Sequence, residues 1–350
     1  MTMRLTFLIT VLFYAALASA ESKDITVGGF LDTYYGFDFN EPSTDRSFTT
    51  QALRHNQFSL NLAYVELKVE KQNSHGRLAL QTGTSVYNNY GPERTANAAL
   101  GSLMQYVQEA YGGFKLNDGL WLDAGIFLSH IGAESFISKE NWNYTRSLGA
   151  DFSPYYQTGV RLNYQMNPSV LLGVHILNGW QSIIDNNPDK SLGMQIVYTP
   201  SETISFTYNN LMGREQQFRF FNNFIVKAKL TDLWSLSFSS DVGFQKKPAS
   251  TSYSTWYVET LLSQLRLNQT WTLGGRIEYF NDRDQVVATT ATANGFQATG
   301  ASLNLDWQPE NSILVRTEIR SLFSTDAVFP SKSTQKKTST LFVTSLSFSL

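Results

Sequence analysis

Between Ser129 and Pro154 the chain reads SHIGAESFISKENWNYTRSLGADFSP, and five charged side chains fall inside it: Glu134, Lys139, Glu140, Arg146 and Asp151. Carboxylates and cations at this density, with Trp142 and Tyr144 among them, can act as an electrostatic filter or as a surface that packs on a neighbour. Catalysis asks for more. A serine nucleophile needs an imidazole to take its proton; His130 and His175 are available, but no nucleophile elbow and no distinctive serine spacing accompanies them. The four histidines, His55, His75, His130 and His175, have no metal-ligand spacing. Asp185-Asn186-Asn187-Pro188-Asp189-Lys190-Ser191 puts oxygen donors at alternate positions, as a calcium loop begins, but lacks the glycine at the sixth place and the carboxylate at the twelfth. No catalytic residue, no metal and no cofactor are expected, and the chain reads as a non-enzyme.

The elements around this stretch alternate apolar and polar residues, the period of a strand with one apolar and one polar face. The first runs from Ile25, and the second changes phase from Phe58, Leu60, Leu62 to Ala63, Val65, Leu67, which needs a bulge or a different strand boundary. Leu78, Leu80, Thr82, Thr84 and Val86 continue as a strand before a longer loop at about residues 88–103. The Asn117-Asp118-Gly119 turn tolerates positive φ and joins Ala110–Leu116 to Leu120–Leu128 as a hairpin. Similar short turns recur at Asn167-Pro168-Ser169, Thr199-Pro200-Ser201-Glu202, Thr231-Asp232, Asn268-Gln269-Thr270 and Pro309-Glu310-Asn311, each followed by a longer connection. About 16 segments result, with bounds of roughly 14 and 18, and the alternation of short turns with long loops predicts an all-β, transmembrane antiparallel barrel. A soluble β-sandwich has no reason to keep every second connection short.

Composition agrees. Charged residues make up 16% and aromatics 14% of the chain, against roughly 25% charged in an average soluble protein; a barrel whose strands face lipid and water alternately averages to such values. Arg4, the apolar Leu5–Leu17 and Ala18-Ser19-Ala20 have the form of a secretory signal. We therefore expect a leader over 1–20 and a barrel domain over 21–350, exported to the outer membrane of a Gram-negative bacterium. No stretch reaches the roughly 20 apolar residues of a spanning helix. Cysteine is absent, so there is no disulfide, thiolate metal site or lipoprotein anchor. Without Arg4, 26 basic stand against 29 acidic side chains, and no nucleic-acid partner is expected.

If the apolar phase faces lipid, the other phase faces the lumen. It carries Glu109, Asp123, Arg161, Lys227, Lys229, Asp241, Arg276, Glu278, Asp306, Arg316, Glu318 and Arg320, which are expected as pore-lining wall residues. Trp234, Trp271, Trp307, Tyr164 and Tyr198 flank short turns on the apolar phase, where an aromatic girdle belongs. Trp121 also stands beside a short turn but on the polar phase.

Several of these residues carry a family resemblance. Ala133-Glu134-Ser135, Glu140-Asn141-Trp142-Asn143-Tyr144-Thr145-Arg146-Ser147, Pro154-Tyr155-Tyr156 and Gly159–Tyr164 resemble the putative β-barrel porin-2, OmpL-like family; Asn178-Gly179-Trp180, Gly213-Arg214-Glu215 and Arg276–Asp282 follow in the same order. The resemblance spans most of the mature chain and implies an outer-membrane pore; it brings no catalytic or ligand residues. Barrels of this kind usually end in an aromatic residue read by the assembly machinery. Here the end is Leu350, with Phe348 two places earlier, so the final strand is expected to engage that machinery through an atypical signal.

The expected function is passive diffusion of small hydrophilic solutes or ions through a water-filled channel. The stretch over 129–153 falls at the third long connection, which in general porins folds inward, so Glu134, Lys139, Glu140, Arg146 and Asp151 are the expected constriction residues. Only Glu21–Asp24 stand between the leader and the first strand, too little for a plug domain, which favours diffusion over energy-coupled transport. By the same analogy the expected partners are membrane lipid, small solutes and two further copies in a homotrimer. Two other classes stay open: a barrel lipid hydrolase, and a structural or adhesive barrel that does not conduct.

Overall fold

The computed structural model describes residues 24–185 and 187–350; the expected leader and Asn186 of the calcium-like loop lie outside them. Among the described residues, sixteen antiparallel strands close into one barrel. In chain order these are β1 (Ile25–Asp38), β2 (Gln57–Glu70), β3 (Ser74–Thr82), β4 (Val107–Asn117), β5 (Leu120–Leu128), β6 (Tyr156–Asn167), β7 (Val170–Leu177) and β8 (Ser191–Ser201). They continue as β9 (Ile204–Arg214), β10 (Phe218–Lys229), β11 (Trp234–Lys246), β12 (Tyr253–Arg266), β13 (Trp271–Asp282), β14 (Phe296–Glu310) and β15 (Ile313–Ser324). Two-residue strands β16 (Phe329–Pro330) and β17 (Gln335–Lys336) form a separate ribbon, and β18 (Thr338–Ser349) closes the ring on β1. Each neighbour in the wall is the next barrel strand in sequence, so no connection crosses the barrel wall.

The period-two pattern builds this wall directly. Along β14, Ala301, Leu303, Leu305 and Trp307 face out and Ser302, Asn304 and Asp306 face in; opposite Leu303 stand Gly275 on β13 and Ile319 on β15. Outward leucines, isoleucines and phenylalanines on other strands complete an apolar belt such as lipid requires. Of the two ways to accommodate the phase change, the strand takes the bulge: Asp32 pairs with Leu62 and Thr33 with Leu60, leaving Asn61 between them. Its amide donates to the Asp32 carboxylate at 2.7 Å. Asp118 and Gly119 form the two-residue turn between β4 and β5, with Gly119 at φ 80.

Two expectations are corrected. β3 does not continue through Thr84 and Val86: it ends at Thr82, and three short helices follow, α1 (Thr84–Asn89), α2 (Gly91–Ala96) and α3 (Ala98–Met104). The Asn61 bulge is the cause. The hydroxyls of Thr84 and Ser85 take the carbonyls of Leu60 and Asn61 at 3.0 and 2.8 Å, which a longer β3 would otherwise have paired. Gly83, at φ 138, makes the bend, and a side chain there would meet the Asn61 carbonyl oxygen at 2.2 Å.

The inward phase is also not polar throughout. Toward the long connections it carries Phe127, Leu177, Leu211, Phe221, Trp256, Phe280 and Leu322, all buried. Trp180, Val286 and Val287, from connections turned into the barrel, pack on them. β12 shows no clean alternation for this reason: Trp256, Val258 and Leu262 face in while Tyr257 and Leu261 face out.

Candidate functional site

The connection between β5 and β6 leaves the wall and enters the barrel. Its first residues run past β7–β10, its middle reaches β13–β15 on the opposite side, and a four-residue helix, α4 (Leu148–Asp151), starts the return. The far wall holds it through backbone groups. The backbone N–H and the hydroxyl of Thr145 each donate to Glu318 at 2.7 Å, while Arg276 donates to the Thr145 carbonyl at 2.6 Å and to its hydroxyl at 2.9 Å. Arg316 donates to the carbonyls of Ser138 and Asn141 at 2.6 and 2.7 Å and pairs with Asp306 at 2.8 Å. Glu278 accepts the Leu148 N–H at 2.6 Å and pairs with Arg320 at 2.8 Å. On β1, Asp32 accepts from the Ser138 hydroxyl at 2.7 Å. Charge-assisted bonds of this kind, away from water, are the strong ones.

Of the loop charges, three are buried. Arg146 lies over the Tyr155 ring at 3.9 Å, donates to the Thr50 hydroxyl and stands 3.6 Å from Asp151. Glu134 is 3.6 Å from Arg276 and accepts the Ser147 N–H at 2.9 Å. Burial pushes the Glu134 carboxyl up, with Arg276 and Ser147 opposing it. Lys139 and Glu140 remain exposed. Lys139 reaches Ser349 at 2.9 Å and borders a cavity of about 190 Å³ beside the short turns at Thr270 and Ser312, so the loop tip descends to the short-turn end.

Most of the wall charges fall into two groups. Arg276, Glu278, Asp306, Arg316, Glu318 and Arg320 are buried beneath the loop tip. On the other side Asp123 joins His75 at 2.6 Å and Arg161 at 2.8 Å, while Glu109 pairs with Arg77. Lys227 and Lys229 are exposed, Lys229 pairing with Asp232 at 2.7 Å on the short-turn rim, and Asp241 accepts from the Asn223 amide. Trp234, Trp271, Trp307, Tyr164 and Tyr198 are all exposed on the outer surface toward the short turns, Trp271 stacked on Trp307. Trp121 departs from that phase because its indole stacks on His75 inside, at 4.6 Å.

Sequence reading passed over Asp32, Arg77 and Gly274. The first two are signalled only by their place on the inward phase. Gly274 is signalled by nothing local: a Cβ there would stand 2.3 Å from the Trp142 carbonyl oxygen, so the wall needs a glycine where the loop backbone touches it. Gly274→Val is expected to lift the loop tip off β13, read as new protease cleavage after Lys139 or Arg146 in the folded barrel. Unchanged protection would show that the tip is not seated there.

Among the described residues, no histidine hydrogen-bonds a serine or threonine hydroxyl; their partners are Asp38 N–H, Asp123, Gln157 and the Asn210 carbonyl. No group of three or more histidine, cysteine or acidic side chains among these residues could hold a metal ion.

A closed barrel of sixteen strands with an apolar outside, short turns at one end and a long connection folded within defines the porin class of outer-membrane proteins. The putative beta-barrel porin-2, OmpL-like family matches residues 24–350, and the chain belongs to it. No curated protein matches its sequence. Among solved structures it is similar to the outer-membrane expressed OmpT of Vibrio cholerae, at TM-score 0.62 and 9% identity, covering 94% of this chain and 99% of that one. It is also similar to an anion-selective porin from Comamonas acidovorans, at 0.60 and 9% over 93% and 99% of the two chains. A trimer form of in-vitro folded Vibrio cholerae OmpT gives 0.58 and 8% over 93% and 99%. Identities this low speak for the fold alone.

Proposed function

We propose that the chain is a pore for passive diffusion of small hydrophilic solutes or ions across the outer membrane, with residues 129–153 as its constriction. The observation that carries this is the crossing of the barrel by that connection, tied to β13–β15 on the far side. A barrel of this strand number leaves an aqueous channel unless something fills it, so whatever passes must pass the loop. In this reading Glu134, Arg146 and Asp151 hold the loop's shape through their buried pairs, and Lys139 and Glu140 are the loop charges that a solute meets. The wall charges from Glu109 to Arg320 set the field on either side of it, and the outward Trp and Tyr residues sit at the headgroup level. The trimer form of OmpT supports assembly of three copies, and β18 is the segment offered to the assembly machinery.

A second reading has its own support. On every barrel strand at least one inward side chain is buried, Asp32, Gln108, Gln157, Asn209, Asn223 and Glu318 completely so. A wall lined by running water would expose them, and a barrel held permanently in this state would not conduct. Reconstitution in a planar bilayer under a salt gradient tests both. Steady conductance with a defined reversal potential supports the pore; a folded, inserted barrel that never conducts overturns it. Incubation of the detergent-purified protein with phospholipid tests the remaining hydrolase reading, for which no product is expected.

A further inference from the structure

The two sides of the inward loop are held unequally. Residues 138–148 are fixed to β13–β15 and β1 by the charged groups described above. The first limb, 129–133, lies across β7–β10 with weaker, mostly neutral contacts: the Gly132 N–H donates to Asn223 at 3.2 Å and the Gln195 amide to the His130 carbonyl at 3.3 Å. At its centre the imidazole of His130 stacks on that of His175 of β7, ring centres 4.1 Å apart and planes 15° from parallel. His130 also meets Gln157 at 2.8 Å and the Asn210 carbonyl at 3.0 Å. Both ring nitrogens of His175 are buried without a hydrogen-bond partner. Gly193 of β8 makes the space, since a Cβ there would stand 2.7 Å from the His130 ring.

We propose that the pore opens on this side: the first limb moves off the β7–β10 wall and uncovers an amide-lined route past Gln157, Gln195, Asn209 and Asn223, and the stacked imidazoles are the latch that acid releases. The inference rests on the pore reading above and adds where the route lies and what controls it. Two neutral rings stack without penalty, whereas two imidazolium rings in van der Waals contact repel, and little around them compensates. The charged group both rings feel is Arg161 of β6, of the same sign and itself paired with Asp123 of β5. β8 and β9 present Gly193, Gln195, Asn209 and Asn210, and β6 also Gln157, none of which titrates.

Burial holds the His130 pKa below its ordinary 6.5. A group whose proton affinity is lowered in the closed state stabilises that state above its ordinary pKa, and the stabilisation fades as pH falls below it. The uncovered amides donate and accept hydrogen bonds without charge, so the route suits neutral polyhydroxylated solutes as well as ions.

Single-channel recording at about pH 7.5 and about pH 5, on either side of the free histidine value, tests the latch. The open-to-closed ratio is expected to rise in acid, by at most about thirtyfold per histidine at pH 5, the limit set by a free value about 1.5 units higher. His175→Phe keeps a ring in the stack, loses no hydrogen bond and is expected to leave only the part of the acid response that His130 supplies, which adding His130→Gln removes; Gly193→Ala, which crowds the His130 ring, is expected to raise opening at neutral pH. The chain has no cysteine, so single Asn209→Cys and Ser302→Cys variants report the route through block by a charged thiol reagent. Block is expected from Asn209→Cys on β9 and not from Ser302→Cys on β14. A conducting barrel whose acid response is undiminished when both histidines are replaced, or which is blocked only through Ser302→Cys, overturns this inference and leaves the pore intact. A folded barrel silent at both pH values overturns the pore reading and this inference together.

Discussion

Removal of residues 131–150 is expected to raise single-channel conductance severalfold, because a wall of this strand number encloses a wide aqueous lumen, narrowed in that chain mainly by the connections that carry Trp180, Val286 and Val287. The deletion suits the fold. β5 and β6 are adjacent, Leu128 pairing with Tyr156, and strands in register lie only about 4.8 Å apart, so the remaining residues can close a short connection. The wall also keeps partners for its charges: Arg276 stands 3.3 Å from Glu278, Arg320 pairs with Glu278 at 2.8 Å and Arg316 with Asp306 at 2.8 Å. Water entering the emptied lumen hydrates what the loop leaves behind, so the burial penalty on those groups falls along with the lost contacts. Planar-bilayer recording on barrels shown to be folded by heat-modifiable gel migration supplies the measurement. Conductance unchanged from the full chain would mean that the connection is not what limits flow.

The second large effect concerns Arg316, which joins the β14–β15 wall to the loop. Arg316→Met removes the donors to the Ser138 and Asn141 carbonyls and leaves Asp306 with the Asn304 amide at 2.6 Å but no cation. Breaking one partner of a buried pair costs about 3–5 kcal/mol, mostly from the charge left uncompensated. The expected result is a lower denaturant midpoint for the detergent-folded protein, together with protease sensitivity at Lys139. Adding Asp306→Leu removes the stranded carboxylate and is expected to recover part of the loss. Introduced into the chain lacking residues 131–150, Arg316→Met is expected to cost much less, because that site is then wet. Equal losses in both backgrounds would place the effect in the wall and not in its grip on the loop.

Side-chain period and turn chemistry made the wall readable in advance. The two-residue period along Ala301–Trp307, the Asp118-Gly119 turn and the phase change at Leu62 are local properties, and each corresponds to an observed strand face, hairpin or bulge. Helices α1–α3 were not readable, because the carbonyls of Leu60 and Asn61 that stop β3 are freed by a bulge on another strand. β12 offers no such period, because a strand covered inside by Trp180 and outside by lipid has apolar residues on both faces, and alternation vanishes when both faces are dry.

The loop divides the same way. Sequence alone determined that residues 129–153 are a long, charged, non-repeating connection between two strands of an outer-membrane barrel, since composition and period are properties of neighbours in the chain. Tertiary structure decided its direction and the fate of its charges. Gly274 had to leave room for the Trp142 carbonyl, Glu318 had to meet Thr145, and His130 had to find His175. Each of those contacts joins residues far apart in the chain, and closure of the ring is what brings β7 and β13–β15 within reach of a connection that starts at β5.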